Sequence, residues 1–356
     1  MWQETSAVVE GIIRRQTQFA SSPEEWIFSG PHIYVGNPLS KTPRETCRIP
    51  TDYDPIDLVD LPVDYLPRTN YVSVCDLDTY RSRTPRVPWD AEKRVTDFYR
   101  FVARRQLSHT GERTLFTAIA PVQAGHIHPV LSITFQDVAE LVGFAGSCTS
   151  LPFDFLIRTT GKSDLYESVL RLLPLPAASL SLIIRTLLLN CVTSHYSALW
   201  RDCWQSTFFN ERWSKADTRL DNARFTLLKP DWSWVTPLRT DYERRQAIIE
   251  IDVLVARALG RIPFPVVQQN ERDTWYDRRG RIVFTCSKGL PDVGFPRSEW
   301  EKIRDTAYGI VPRKIADDAL PGGLRERIIE YLAPFDRCDR ESEYATAWKF
   351  FDEAGI

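Results

Sequence analysis

ERTLFTAIAPVQAGHIHPVLSITFQDVAELVGFAGSCTSLPFDFLIR, residues 112–158, decides the fold class. Residues 112–121 and 130–135 are rich in apolar and β-branched side chains and read as two strands, with a turn at Gly125 between them. Residues 136–158 then read as mostly helical. Strands that run on into helices, rather than alternating with them, point to an α+β architecture.

Working outward, residues 1–24 read as a lead-in helix. WIFSGPHIYVGNP (26–38) is aromatic and β-branched but broken by Gly and Pro, and reads as strand and loop. Residues 50–90 are dense in Pro, Asp and Tyr with apolar residues throughout, the pattern of an ordered loop region. WDAEKRVTDFYRFVARRQL (89–107) reads as a helix with a basic C-terminal end. LLPLP (172–176) is a rigid stop. Beyond it Leu180, Ile184, Leu187 and Cys191 fall at helical spacing, and Ile183 and Leu188 widen the stripe. A Trp-rich segment follows (Trp200, Trp204, Trp213, Trp232, Trp234), and its indoles are expected at the surface. Thr240 with Glu243 is a capping-box pattern; Ile248, Ile251, Leu254, Val255 and Leu259 make the apolar face of the helix it starts, and Gly260 ends it. Residues 274–286 read as a hairpin turning at Arg279-Gly280, and Glu341 to Ile356 as a short helix. The expected organisation is a lead-in helix (1–24), a mixed-strand lobe (25–164), a helical support region (165–260) and a C-terminal lobe of β-hairpin and helix (261–356).

The 356 residues suit about two domains, and 43% hydrophobic content is ample for a packed core. The net charge of −2 argues against a free-standing DNA binder, because non-specific affinity comes mostly from neutralised phosphates. A local basic face stays compatible with it. Nine of the 45 cations are Lys and the other 36 Arg. Arg offers the planar fork that suits guanine edges and phosphates, although a GC-rich genome gives the same bias. Seven scattered Cys without a CxxC pair fit a reduced, cytoplasmic protein. MWQETSAVVEGII carries acidic residues and reads as no signal peptide; Leu180 to Val192 is broken by Arg185 and Asn190 and is too short to span a bilayer.

Chemistry-bearing motifs are sparse. No Gly-x-Gly turn is present to approach a methyl-donor cofactor, and no Pro-Pro pair to help grip a flipped base. Asn37-Pro38-Leu39-Ser40 has only the first half of such a grip. No Lys has an acidic residue two positions before it, as a common metal-dependent nuclease requires. His126 and His128 alternate in GHIHP, with His109 and Glu112 the nearest further ligands; a polar turn between strands accounts for them without a metal. His195 reads as a satisfied boundary residue. No catalytic, cofactor or metal residue is therefore expected in this chain.

Seven segments taken together resemble one family. They are WIFSGPHIYVGNPLSKTPR (26–44), YDPIDLVDLPVDYLPRTNY (53–71), ERTLFTAIAPVQAGHIHPVLSITF (112–135) and LPFDFLIRTTGKSDLYESVLRLLPLP (151–176). Further on come PLRTDYERRQAIIEIDVLVARALG (237–260), QQNERDTWYDRRGRIVFTCSKGLPDVGFPR (268–297) and FDRCDRESEYATAWKFF (335–351). Their order is similar to that in the C-terminal part of adenine-specific DNA methyltransferases of the type IIG kind, whose relatives serve restriction-modification and phage defence of the BREX and DISARM kind. The resemblance implies a target-recognition lobe with helical supports. It implies double-stranded DNA as ligand, S-adenosylmethionine held by the parent enzyme rather than here, a catalytic domain on the same or another chain, and further defence subunits as partners. The join ALGRIPFPV (258–266) is shorter than in that family.

Base reading needs bidentate side chains on rigid turns. The candidates in the first lobe are Lys41, Arg44, Arg68, Asn70 and Lys162, with Gly161 freeing backbone amides beside the last. A second set is Gln268, Gln269, Asn270 and Arg272. Arg113 is expected to brace a strand through a buried carboxylate, and Trp275 and Tyr276 to form hairpin core. Two other classes compete: a protein–protein docking module of a defence complex, and a hydrolase built around His126, His128 and Glu112.

Overall fold

Helices and strands occur in separate runs rather than in regular alternation, a mixed α+β arrangement of small sheets and a helical block. The computed structural model describes residues 1–108, 113–261, 268–269, 274–276, 282–285, 306, 308–333 and 340–356. The elements begin with helix α1 (Glu4–Val9), strands β1 (Ile13–Phe19), β2 (Ile27–Phe28), β3 (Lys41–Pro43), β4 (Tyr53–Pro55) and β5 (Arg68–Ser73), and helix α2 (Leu77–Arg83). Strands β6 (Arg86–Val87), β7 (Asp90–Arg94), β8 (Arg100–Arg104), β9 (Thr117–Ala120), β10 (Gly125–His126) and β11 (Val130–Thr134) follow. Then come helices α3 (Val138–Thr149), α4 (Leu151–Thr159), α5 (Glu167–Leu170), α6 (Leu180–Asn190), α7 (Ser197–Cys203) and α8 (Asp241–Arg261). Strands β12 (Gln268–Gln269), β13 (Thr274–Tyr276), β14 (Ile282–Thr285), β15 (Ile310–Asp317) and β16 (Arg325–Leu332) lead to helix α9 (Arg340–Glu353).

The two strands read around Gly125 exist, but they do not pair with each other. β8 lies between β11 and β9, antiparallel to both. Segment 89–107 is therefore not the expected helix: β7, a short 3-10 turn and β8 occupy it. Along β8 successive side chains serve opposite faces, as strand geometry dictates. Phe101 and Ala103 join the core formed with the helices, while Val102 joins a second core with Ala118, Ala120 and Val130. Burial on both faces and pairing on both edges override the local helix preference of this segment.

The lead-in helix is likewise short. α1 holds six residues, and β1 pairs antiparallel with β5, a partner invisible to local reading. The 50–90 region carries β4, β5, α2 and β6 rather than loop alone.

The helices fall where periodicity places them. Residues 136–158 form α3 and α4, divided at Ser150, whose side chain accepts from Phe153 N, with Pro152 in the first turn of α4. Thr240 caps α8: it accepts from Glu243 N at 3.3 Å and donates to Glu243 Oε2 at 3.0 Å. α8 is not one-sided, however. Ile249, Ile251 and Val253 are buried, and so are Glu243, Arg244, Arg245, Glu250 and Asp252. Such charges persist inside only when paired. Glu250 takes Arg185, Asp252 takes Arg113, Glu243 takes Arg224 and Arg245 takes Glu343 of α9.

β12, β13 and β14 form one antiparallel sheet, so the 274–286 hairpin pairs as read; its Arg279-Gly280 turn lies outside the described residues. A longer hairpin, β15–β16, was not foreseen. It lies against segment 57–65 of the first lobe: Arg327 pairs with Asp57 at 2.6 Å, Arg325 with Asp60 at 3.0 Å, and Tyr65 donates to Ala319 O at 2.6 Å. Among the described residues no helix is long and apolar enough to cross a membrane.

Candidate nucleic-acid interface

The first-lobe candidates separate into three environments. Lys41 is half-buried at the start of β3, and Arg44 is exposed just beyond its end. Arg44 already grips a carboxylate, donating from Nε and Nη2 to Asp54 at 3.0 and 2.8 Å across the β3–β4 hairpin. Arg68 and Asn70 face inward. Arg68 is only 6% exposed; it meets Asp318 and Pro43 O, each at 3.3 Å, and its guanidinium lies 4.2 Å over the Phe19 ring. Asn70 Oδ1 accepts from Thr17 Oγ1 at 2.9 Å. Both act as braces in this arrangement, because β5 is covered by β1 and by the β15–β16 arm. Lys162 stands elsewhere, exposed in the turn after α4 where Gly161 adopts φ +64°. That turn is tied to the end of the central sheet through Leu165 N to Arg105 O at 2.7 Å. In the second set, Gln268 and Gln269 pair through their backbone with Tyr276 and Trp275; Asn270 and Arg272 lie outside the described residues.

The structure adds residues that the sequence reading missed. β1 reads IRRQTQF, and it forms with β5 a two-stranded ribbon whose register shifts between Arg15 and Gln18. Arg14 is exposed, Gln16 and Gln18 half-buried, and the three are linked side chain to side chain. Arg14 Nε donates to Gln16 Oε1 at 2.9 Å, and Gln16 Nε2 to Gln18 Oε1 at 2.9 Å. The alternation Arg14, Gln16, Gln18 was the available signal; the lead-in helix assignment hid it.

More cations adjoin the ribbon. Arg15 donates through Nη2 to Cys47 O at 3.2 Å and to Arg48 O, which ties the 44–52 loop to β1. Exposed Arg15, Arg44 and Arg48 therefore gather on the 44–52 loop side of β1, with half-buried Lys41 at the start of β3, while Arg14 is joined to Gln16 and Gln18 along the strand. The acids on the loop side are Glu45, Asp54 on Arg44, and Asp52. Asp52 accepts from the backbone of Arg48 and Ile49, which holds its carboxyl below the usual range. A two-stranded ribbon fits the major groove; Arg matches guanine and Gln matches adenine bidentately.

The histidines have other uses. His126 is buried, with Nδ1 at 3.0 Å from Ile127 O and Nε2 at 2.9 Å from Ser132 Oγ, and burial pushes its pKa well below the ordinary value. His128 is exposed and meets Arg105. Among the described residues no three or more His, Cys, Asp or Glu gather as a metal site; His109 and Glu112, named with these histidines in the sequence, lie outside the described residues. His195, half-buried, contacts Asp64 O through Nε2 at 3.0 Å. Arg113 braces Asp252, as read. The chain matches no protein-family model, no curated protein and no solved structure.

Proposed function

We propose that this chain is the sequence-reading part of an adenine-specific DNA methyltransferase of the type IIG kind, acting in restriction-modification or phage defence. Double-stranded DNA is its ligand. The methyl donor and the transfer chemistry belong to a catalytic domain on the same or another chain, since no Gly-x-Gly turn or base-gripping motif is present in this one. The observation that carries the reading is the Arg14–Gln16–Gln18 chain on the β1–β5 ribbon, whose Arg15 ties the strand to the Arg44- and Arg48-bearing loop. These are the side-chain types that discriminate bases, on a paired and therefore pre-ordered strand that loses little entropy on entering a groove.

The test is selection of duplexes from a random library by the full chain at two salt concentrations. With a net charge of −2, binding is expected to be weak and steeply salt-dependent, with one motif enriched. Arg14→Ala, Gln16→Ala and Gln18→Ala should each relax one base position by ~1–3 kcal/mol. Arg15→Ala and Arg48→Ala should instead weaken all sequences alike and lower the salt slope by about 1 each. If the three reader variants stay folded and enrich the same motif at the same strength, the ribbon assignment is wrong.

The alternative reading, a docking module of a defence complex, draws on the near-neutral charge, which still permits it, and on exposed-looking tryptophans. Trp2, Trp26, Trp200 and Trp213 are buried, and among the described side chains only Trp89 and Trp234 are exposed.

A further inference from the structure

The geometry points to a second ligand site: we infer that the cavity between the end of the central sheet and α5 binds one phosphate-type oxyanion. The cavity has a volume of about 260 Å³, and its polar wall is Arg105, His126, His128, Ser132, Tyr166 and Glu167. Arg105 is half-buried, with its guanidinium 4.6 Å over the Tyr166 ring and Nη1 3.1 Å from His128 Nδ1. Among the described residues it makes no ion pair, so its remaining donors are not spent on a carboxylate. Glu167 is the one acid on the wall, and it is turned to Arg171, which donates to Glu167 Oε1 from Nε at 2.9 Å. His126 is held between Ile127 O and the Ser132 hydroxyl.

An independent observation lies behind that wall. Arg100, at the start of the β8 strand that Arg105 follows, is fully buried. It donates from Nη2 to Ala124 O, while Nε and Nη1 have no hydrogen-bond partner among the described residues. Burial lowers its pKa to about 10, so it stays charged at neutral pH, and its charge bears on His126. An uncompensated buried cation is costly, and an anion in the adjoining cavity offsets that cost. Arg–phosphate pairing supplies the matching geometry.

The same oxyanion chemistry comes from a backbone phosphodiester of DNA or from free phosphate. The layout favours the first. Trp2 N donates to His126 O at 3.0 Å, so the cavity wall continues through α1 directly into the reading strand β1, and Lys162 stands in the turn tied to Arg105. The oxyanion site rests on the cavity alone; only its assignment to a DNA phosphate rests on the proposed function.

Titration of the full chain with inorganic phosphate at low ionic strength, followed by calorimetry, tests it. Saturable binding is expected, weakened about tenfold or more by Arg105→Ala, the loss of one charge-assisted contact. Glu167→Gln, an exposed change that removes the wall's one acid, should tighten binding, and weaker binding in this folded variant counts against the site. The fold of each variant is checked by its thermal transition. No saturable phosphate binding, or binding indifferent to Arg105→Ala in folded protein, overturns the site. A short duplex then assigns the source. Competition with phosphate, and a salt slope reduced by about 1 in Arg105→Ala, identifies the backbone phosphate. Phosphate binding that the duplex does not displace supports the site for free oxyanion. Failure of base reading shows separately, in the Arg14, Gln16 and Gln18 variants.

Discussion

Arg113 and Asp252 form an ion pair of 2.8 Å with both side chains sealed from solvent. Asp252 also accepts from Leu151 N and from Tyr344 of α9, and Arg113 reaches Thr149 O at 3.4 Å. One buried carboxylate thereby joins the strand β9 approach, the α3–α4 junction, α8 and α9. Arg113→Ala strands this charge in the interior and should cost about 3–5 kcal/mol in urea unfolding. Arg113→Met with Asp252→Asn, which removes both charges and keeps a polar partner for Leu151 N and Tyr344, should cost clearly less. Equal losses in the single and double variants would contradict the pairing account.

Arg68→Ala should lower stability without changing which base is read. It removes the Asp318 and Pro43 contacts and the stacking on Phe19. Asp318 keeps some access to water, with 23% of its side chain exposed. The expected loss is about 1–3 kcal/mol, and any fall in DNA binding should follow the folded fraction. A changed recognition motif in folded Arg68→Ala would return this residue to the reading surface.

Stability should fall as pH drops from about 6.5 toward 4. His32 is fully buried, and desolvation holds its pKa at about 4. Ser29 N donates to Nδ1 at 3.0 Å and Nε2 meets Arg68 O at 2.9 Å, an arrangement that suits the neutral ring. The unfolded chain binds the proton first, so stability is present above pH 6.5 and is lost through this window by roughly 3 kcal/mol. His126, also depressed by burial, acts in the same direction. Chemical denaturation at several pH values reads the slope, which should flatten in His32→Asn. An unaltered slope would mean that His32 does not titrate there.

Gly146→Ala in α3 should destabilise, although Ala normally gains about 1 kcal/mol over Gly inside a helix. A Cβ at Gly146 meets the Thr186 side chain and lies 3.0 Å from Leu182 Cδ1, both on α6. Overpacking of this kind costs about 1–3 kcal/mol and outweighs the propensity gain. Thr186→Ala in the same chain should recover part of the loss. A raised thermal midpoint in Gly146→Ala alone would show that the two helices pack less closely.

The sequence by itself determined the helices α3, α4, α6 and α8, the Thr240–Glu243 cap and the strands on either side of Gly125. Periodicity, caps and turn residues act over a few positions, so their signals are local. It also anticipated that Arg113 would find a buried carboxylate. Only the tertiary structure decided that 100–104 is a central strand, since β9 and β11 supply its hydrogen bonds from positions that local reading cannot connect. The same holds for the sorting of the arginines. Arg68 looked like a reader until Asp318, brought in by the β15–β16 arm, occupied it; Arg14 looked like part of a helix until β5 drew it into a ribbon. Charge is written in the sequence, but whether a charge is free depends on partners far away along the chain, and only packing brings those partners within a few ångströms.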